Sequence, residues 1–369
     1  MSARAVAALF VLALVVGGGA LLAMRGGEGA RPQAAGALGQ ALLKDLKAAE
    51  VAAIAIRDEA GAITLERHED AWTIAERDGF PADVDKVREF AVKAIGLKAG
   101  QVEAIGEADR ARLALDERGT QVEFRSADGK PLARLVVGKK HFKKEPEDPA
   151  KAFADGRFVL LAADPKTAYL VSDPLAQATS RTGEWIDRRS FQVEKVRTLE
   201  VRRADGEAWK IERAADNADW KLSPLKAGEK LDATRANSAS YSLSLLELAD
   251  VAPKDTRDTG LDRPAWWIRA STFDGLEYEI RVGALQSENH YVAFAVDGTL
   301  VRTRTPQKDE KPEERERRDK EFAERLAKLE ERLAREKRLA QYVLLVPKSR
   351  LEDTLRTRAE LLEKRDEKK

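Results

Sequence analysis

The stretch Ile63-Thr64-Leu65-Glu66-Arg67-His68-Glu69-Asp70-Ala71-Trp72 has a counterpart later in the chain, Trp209-Lys210-Ile211-Glu212-Arg213-Ala214-Ala215-Asp216-Asn217-Ala218-Asp219-Trp220. Each predicts a strand, a polar turn and a second strand that carries a tryptophan. Beyond each tryptophan an aspartate, Asp83 or Asp232, stands where a helix N-cap belongs. Val84, Val87, Phe90, Ala91 and Ile95 then form one helical stripe, and Leu231, Ala236, Ala239, Leu243 and Leu246 form the other.

The correspondence continues outward. Leu115-Asp116 matches Leu261-Asp262, Asp128-Gly129 matches Asp274-Gly275, and Val137-Gly138 matches Val282-Gly283. Gln121 to Arg125 and Trp267 to Ser271 alternate with the period of a half-buried strand. The Asp-Gly pairs fall between alternating runs, where a hairpin needs positive φ. Phe158-Val159-Leu160-Leu161 pairs with Tyr291-Val292-Ala293-Phe294, and Tyr169-Leu170-Val171 with Val343-Leu344-Leu345. The expected fold class is therefore α+β, a tandem duplication of an antiparallel-sheet-plus-helix domain. It carries an N-terminal transmembrane helix and a long charged helical insertion in the second copy. The expected boundaries are an anchor at 1–25, a tether at 26–48, a first repeat at 49–178 and a linker at 179–195. A second repeat at 196–360, with its insertion at 306–340, and a charged tail at 361–369 complete the chain.

A length of 369 residues suits two domains. Charged residues make up 35% of the chain at a net charge of +1, which is no concentrated basic field and gives no reason to expect nucleic acid. The chain has no cysteine, so disulfides and thiolate chemistry are excluded.

Ala5 to Met24 carry no charge and are flanked by Arg4 and Arg25. About 20 apolar residues span a bilayer core as a helix. The expectation is contact with the lipid bilayer through this segment as a single-pass anchor in the inner membrane, with the bulk of the chain on the periplasmic or extracytoplasmic side. Gly17-Gly18-Gly19 weakens a helix there, and small residues at Gly18 and Ala20, or Ala35 and Ala37, leave a cleaved signal peptide as the alternative.

The run from Leu65 to Trp72, the Pro81-Ala82-Asp83 helix start, Leu115-Asp116, Val136-Val137-Gly138 and Tyr169-Leu170-Val171 occur in a fixed order. Together with Trp185-Ile186-Asp187-Arg188-Arg189-Ser190-Phe191 leading into Val196 to Val201, they resemble bacterial proteins of domain-of-unknown-function family 4340. Thr259 to Pro264 resemble the family again. The resemblance implies an anchored envelope protein associated with ABC-2 permeases or gliding-motility-type transporters. It implies no catalytic residues.

Two insertions depart from the shared pattern. From Lys308 to Arg338 opposite charges recur at i, i+4, as in Glu313/Arg317 and Glu324/Lys328, which predicts one long helix. Phe322, Leu326, Leu329 and Leu333 form a narrow apolar seam along it. Either this helix docks a partner or a second copy of the chain, or it folds back on its own domain. The shorter insertion holds Lys139, Lys140, His141, Phe142, Lys143 and Lys144, a candidate contact for anionic headgroups or for a phosphate-bearing ligand. The acids Glu145, Glu147 and Asp148 that follow make a solvated loop the other reading.

No chemistry-bearing motif stands out. His68, His141 and His290 lie in unrelated segments, and none has a second ligand at metal spacing. No cofactor, metal site or catalytic residue is expected. In Trp266-Trp267 alternation sends one ring inward and one outward; an outward Trp266 or Trp267 is a candidate for sugar or partner contact. The leading expectation is a non-enzymatic scaffold or accessory whose partner is a membrane protein such as an ABC permease. The alternative is a module binding lipid, glycan or peptide in a cleft between the copies.

Overall fold

A computed structural model describes residues 38–69, 71–307 and 310–363. The expected span at Ala5 to Met24 lies outside the described residues. Among those described, no helix is long and apolar enough to cross a membrane.

Sheet I is built from β1 (Ala53–Asp58), β2 (Gly61–His68), β3 (Ala71–Ile74), β4 (Phe80–Pro81), β5 (Gln101–Ala104), β6 (Thr120–Arg125), β7 (Pro131–His141), β8 (Gly156–Leu161) and β9 (Asp164–Val171). Its strand order is β4-β3-β2-β1-β6-β7-β8-β9-β5. Sheet II holds β10 (Val196–Arg203), β11 (Ala208–Glu212), β12 (Lys221–Leu222), β13 (Asp250–Val251), β14 (Trp266–Thr272), β15 (Leu276–Gln286), β16 (Asn289–Gly298) and β17 (Leu344–Pro347), in the order β12-β11-β10-β14-β15-β16-β17-β13. The helices are few: α1 (Val84–Ile95), α2 (Glu107–Arg112), α3 (Ala233–Ser244), α4 (Pro312–Leu339) and α5 (Lys348–Leu351).

The expected α+β class is thus corrected: the described residues form two large antiparallel sheets with few helices, and the helix in the expected 306–340 insertion is α4. The reason is physical: most apolar positions recur at period two, and short edge strands such as β5 and β13 extend each sheet where the alternation is too brief to read. A further correction concerns register. Val159 faces Tyr169 and Val292 faces Leu344, so Tyr169 corresponds to Leu344 and not to Val343. A one-residue slip reverses the faces of the whole strand.

Compact packing divides the described residues into one unit that ends its first segment at Ala62 and resumes over Arg88–Ser180, and another of Ile63–Val87 with the residues from Arg181 onward. The first tryptophan hairpin, from Ile63 to Trp72, therefore belongs to the second unit. Arg77 Nη2 meets Asp250 Oδ2 at 3.1 Å, and Phe80 packs edge-on to Tyr342 with ring centroids 5.0 Å apart.

Within the first unit Phe90 of α1 stacks on Phe124 of β6 at 6.2 Å between centroids, and Ile54, Ile56, Val122 and Val159 are buried with them. Within the second, Ala236, Ala239 and Leu243 of α3 are fully buried, as are Ile268, Ile280 and Val292. Asp232 caps α3 by accepting a hydrogen bond from the Arg235 backbone N at 3.1 Å.

Each sheet also carries a smaller apolar cluster. Leu113, Leu115, Leu160 and Ala168 form one; Ala252, Leu261, Tyr291, Ala293 and Leu345 form the other. The Leu-Asp segments are the lids of these clusters, held by the same device in both sheets. Lys139 N donates to Leu113 O at 2.8 Å and Ala284 N donates to Thr259 O at 2.8 Å. Each bond falls where the strand bulges after its Val-Gly pair.

Candidate functional site

The basic insertion is not a free cluster of cations. The Lys140 ammonium donates to the carbonyls of Pro149, Ala150 and Ala152 at 3.3, 3.1 and 3.3 Å, so it organises the loop around itself. Lys139 is fixed through its backbone to Leu113, and the Lys143 backbone N donates to Asp155 at 2.9 Å. The side chains of Lys139, Lys143 and Lys144 remain exposed, as do Glu145, Glu147 and Asp148.

The seam of α4 lies half-buried at Phe322, Leu326, Leu329 and Leu333. Leu333 sits over Gly298 of β16, the strand against which the helix packs. One polar cluster fixes the last turns. Glu336, 1% exposed, accepts from Tyr278 Oη at 2.7 Å and from Arg332 Nε at 2.8 Å. Arg332 Nη1 also reaches Glu194 at 2.7 Å. Burial, with the Glu336 carboxylate beside it, pushes the Tyr278 phenol far above its ordinary range. Nearer the other end, Arg304 joins Glu310 and Asp319 at 2.9 and 2.7 Å.

The tryptophan doublet opens two different faces of β14. Trp266 follows the buried parity of Ile268 and lines a cavity of 1020 Å³ with Arg235, His290, Lys348, Glu352, Asp353 and Arg356. Arg203 stands over its ring at 5.5 Å. In this cavity Asp353 pairs with Arg356, and Arg235 pairs with Asp232 at 3.2 Å, so much of the charge is already matched. His290 Nδ1 lies 3.3 Å from Gly283 O. A carbonyl only accepts, so Nδ1 carries the proton and the neutral ring keeps its lone pair on Nε2. Burial holds the imidazole below its usual value, and Lys348 adds to that effect. The matching position in sheet I is Arg157, whose Nε donates to Gly138 O at 2.9 Å.

Trp267 points to the opposite face, into a trench of 440 Å³ shared with Glu200, Arg202, Arg269, Glu279, Arg281 and Ala295. Strand register puts Arg202 and Arg281 on either side of Trp267. The Arg202 guanidinium stands 4.7 Å from the ring centroid, a cation–π distance. Among the described residues the Arg281 side chain donates only to Leu261 O, at 3.4 Å. Neither guanidinium takes a carboxylate partner among the described residues. Two residues along, Arg269 is matched by Glu279 at 3.0 Å. The corresponding row in sheet I is Arg57, Gln121 and Val136. There Gln121 is spent on the Asp116 carbonyl at 2.9 Å. The sequence pattern offers Trp266 or Trp267 and passes over His290 as no ligand; it misses Arg202 and Arg281, whose roles depend on which strands become neighbours.

Among the described residues, no group of three or more His, Asp and Glu is placed to hold a metal ion. The sequence model of a domain of unknown function (DUF4340) matches residues 72–264 of this chain. No curated protein and no solved structure matches it. The tryptophan doublet, Arg281 and α4 all lie beyond the matched span.

Proposed function

We propose, from the premise that this chain belongs to the DUF4340 family of domains of unknown function, that it is a non-enzymatic, extracytoplasmic accessory protein whose second unit docks a partner protein. The observation that carries this reading is the Arg202, Trp267 and Arg281 row: large side chains, two of them cations without a carboxylate, laid across an open sheet face. A sheet face that served packing alone would favour matched pairs, as at Arg269 and Glu279. Unmatched arginines beside a tryptophan have the composition of an interface centre. The family resemblance makes an ABC-type permease the first partner to test. Purification of the full chain from native cells in mild detergent should recover such a membrane protein at a fixed ratio, and Trp267→Ala should abolish its recovery. Equal recovery with Trp267→Ala would remove this face from the docking role.

A second reading, a small-ligand module, is supported by the 1020 Å³ cavity at Trp266 and His290, a size suited to a small organic ligand. Its ion-paired lining favours binding over reaction.

A further inference from the structure

We propose that the Arg202, Trp267 and Arg281 row binds a short acidic peptide segment of the partner; this rests on the docking role argued above and specifies its chemistry. The two guanidiniums belong to β10 and β15, one strand to either side of β14. Strands lie about 4.8 Å apart, so the two backbone positions are separated by about 10 Å. Each planar fork can take one carboxylate bidentately. A peptide in the polyproline-II conformation repeats every three residues at about 3.1 Å each, so acids at i and i+3 stand roughly 9 Å apart on one side. Its intervening apolar atoms then lie along Trp267.

The neighbouring row sets the class of occupant. Glu200 lies two residues along β10 from Arg202, about 7 Å away, and Arg269 is already held by Glu279. A continuous anionic surface, whether a bilayer or a nucleic acid, meets Glu200 as soon as it meets the arginines. An acidic glycan without amino sugars offers that carboxylate hydroxyl donors but no cation. A peptide can place acids on the arginines and a neutral or basic residue beside Glu200, so the alternation of sign favours it.

The test uses the full chain in mild detergent and a fluorescein-labelled proline-rich decapeptide with two glutamates three residues apart. Fluorescence anisotropy should show saturable binding that falls at least about tenfold when both glutamates become glutamine, the order expected for lost charged hydrogen bonds. Arg202→Gln with Arg281→Gln should cause a similar loss, whereas Arg57→Gln, at the matching place in sheet I, should leave binding unchanged. Circular dichroism of each variant verifies folding. Equal affinity for the glutamine peptide, or unaltered binding by the double variant, overturns the proposal. So does saturable binding of heparin or phosphatidylglycerol vesicles that depends on the same two arginines while the peptide does not bind. If the peptide fails but a partner still cross-links at position 267, the peptide class is wrong and the docking role stands; if both fail, both readings fall.

Discussion

Gly283 lies directly beneath the Leu261 segment: a Cβ at this glycine would stand 2.2 Å from the Thr259 carbonyl oxygen and 3.2 Å from Leu261 Cδ2. Gly138 repeats the relationship, at 2.4 Å from Leu113 O and 2.7 Å from Leu115 Cδ2. The recurring Val-Gly and Leu-Asp pairs are therefore two halves of one contact, in which a lid backbone lies against a strand that has no side chain to displace.

Gly283→Ala and Gly138→Ala should each destabilise the protein by about 1–3 kcal/mol through overpacking. Gly106→Ala is the comparison: a Cβ there meets nothing within 4 Å, so it should cost only the change of N-cap on α2 and less than either lid variant. Urea unfolding midpoints measure the difference; equal midpoints for all three variants would refute the lid contact.

Arg332 supplies the charge that accompanies the buried Glu336 carboxylate. Arg332→Met should cost about 3–5 kcal/mol, as expected when one partner of a buried pair is removed. Lys337→Ala, which breaks the exposed pair with Asp297, should leave stability nearly unchanged. Hydrogen exchange should show the last turns of α4 losing protection in the first variant alone.

His290 gives a pH signature. Its folded pKa is lowered from an ordinary value of 6.5 by burial, so the unfolded chain binds this proton more readily. The stability it contributes is fully present above about pH 6.5 and is lost as pH falls through the depressed folded value. His290→Gln should flatten the stability–pH curve in that window while keeping a donor for Gly283 O. Parallel curves for the two proteins would contradict the assignment.

The hairpin Ile63–Val87 belongs to the second unit through contacts such as Arg77 with Asp250 and Phe80 with Tyr342. A fragment cut at residue 181 lacks these partners and should show poor solubility and broad thermal unfolding. A fragment with 63–87 joined ahead of residue 181 should unfold cooperatively at a higher temperature. An equally stable short fragment would show that the hairpin adds nothing.

Much of the strand pattern was legible, because alternation at Gln121 to Phe124 and Trp267 to Ala270 marks a buried face without knowledge of neighbours. Asp232 likewise announces the cap it makes. The balance of the fold was not, since β5 and β13 have only four and two residues and draw their order from β9 and β17. The site was less legible still. Lys140 looks like an open cation until the loop carbonyls close on it. Arg202 and Arg281 are 79 positions apart and become a pair only through strand order.

The most direct test of the docking role is a photocrosslinking residue placed at 267 in the full chain, in native cells, with position 121 of sheet I as its counterpart. Docking at this face predicts one discrete protein adduct from 267, competed by the acidic peptide, and none from 121. No adduct at 267, or the same adducts from both positions, would contradict it.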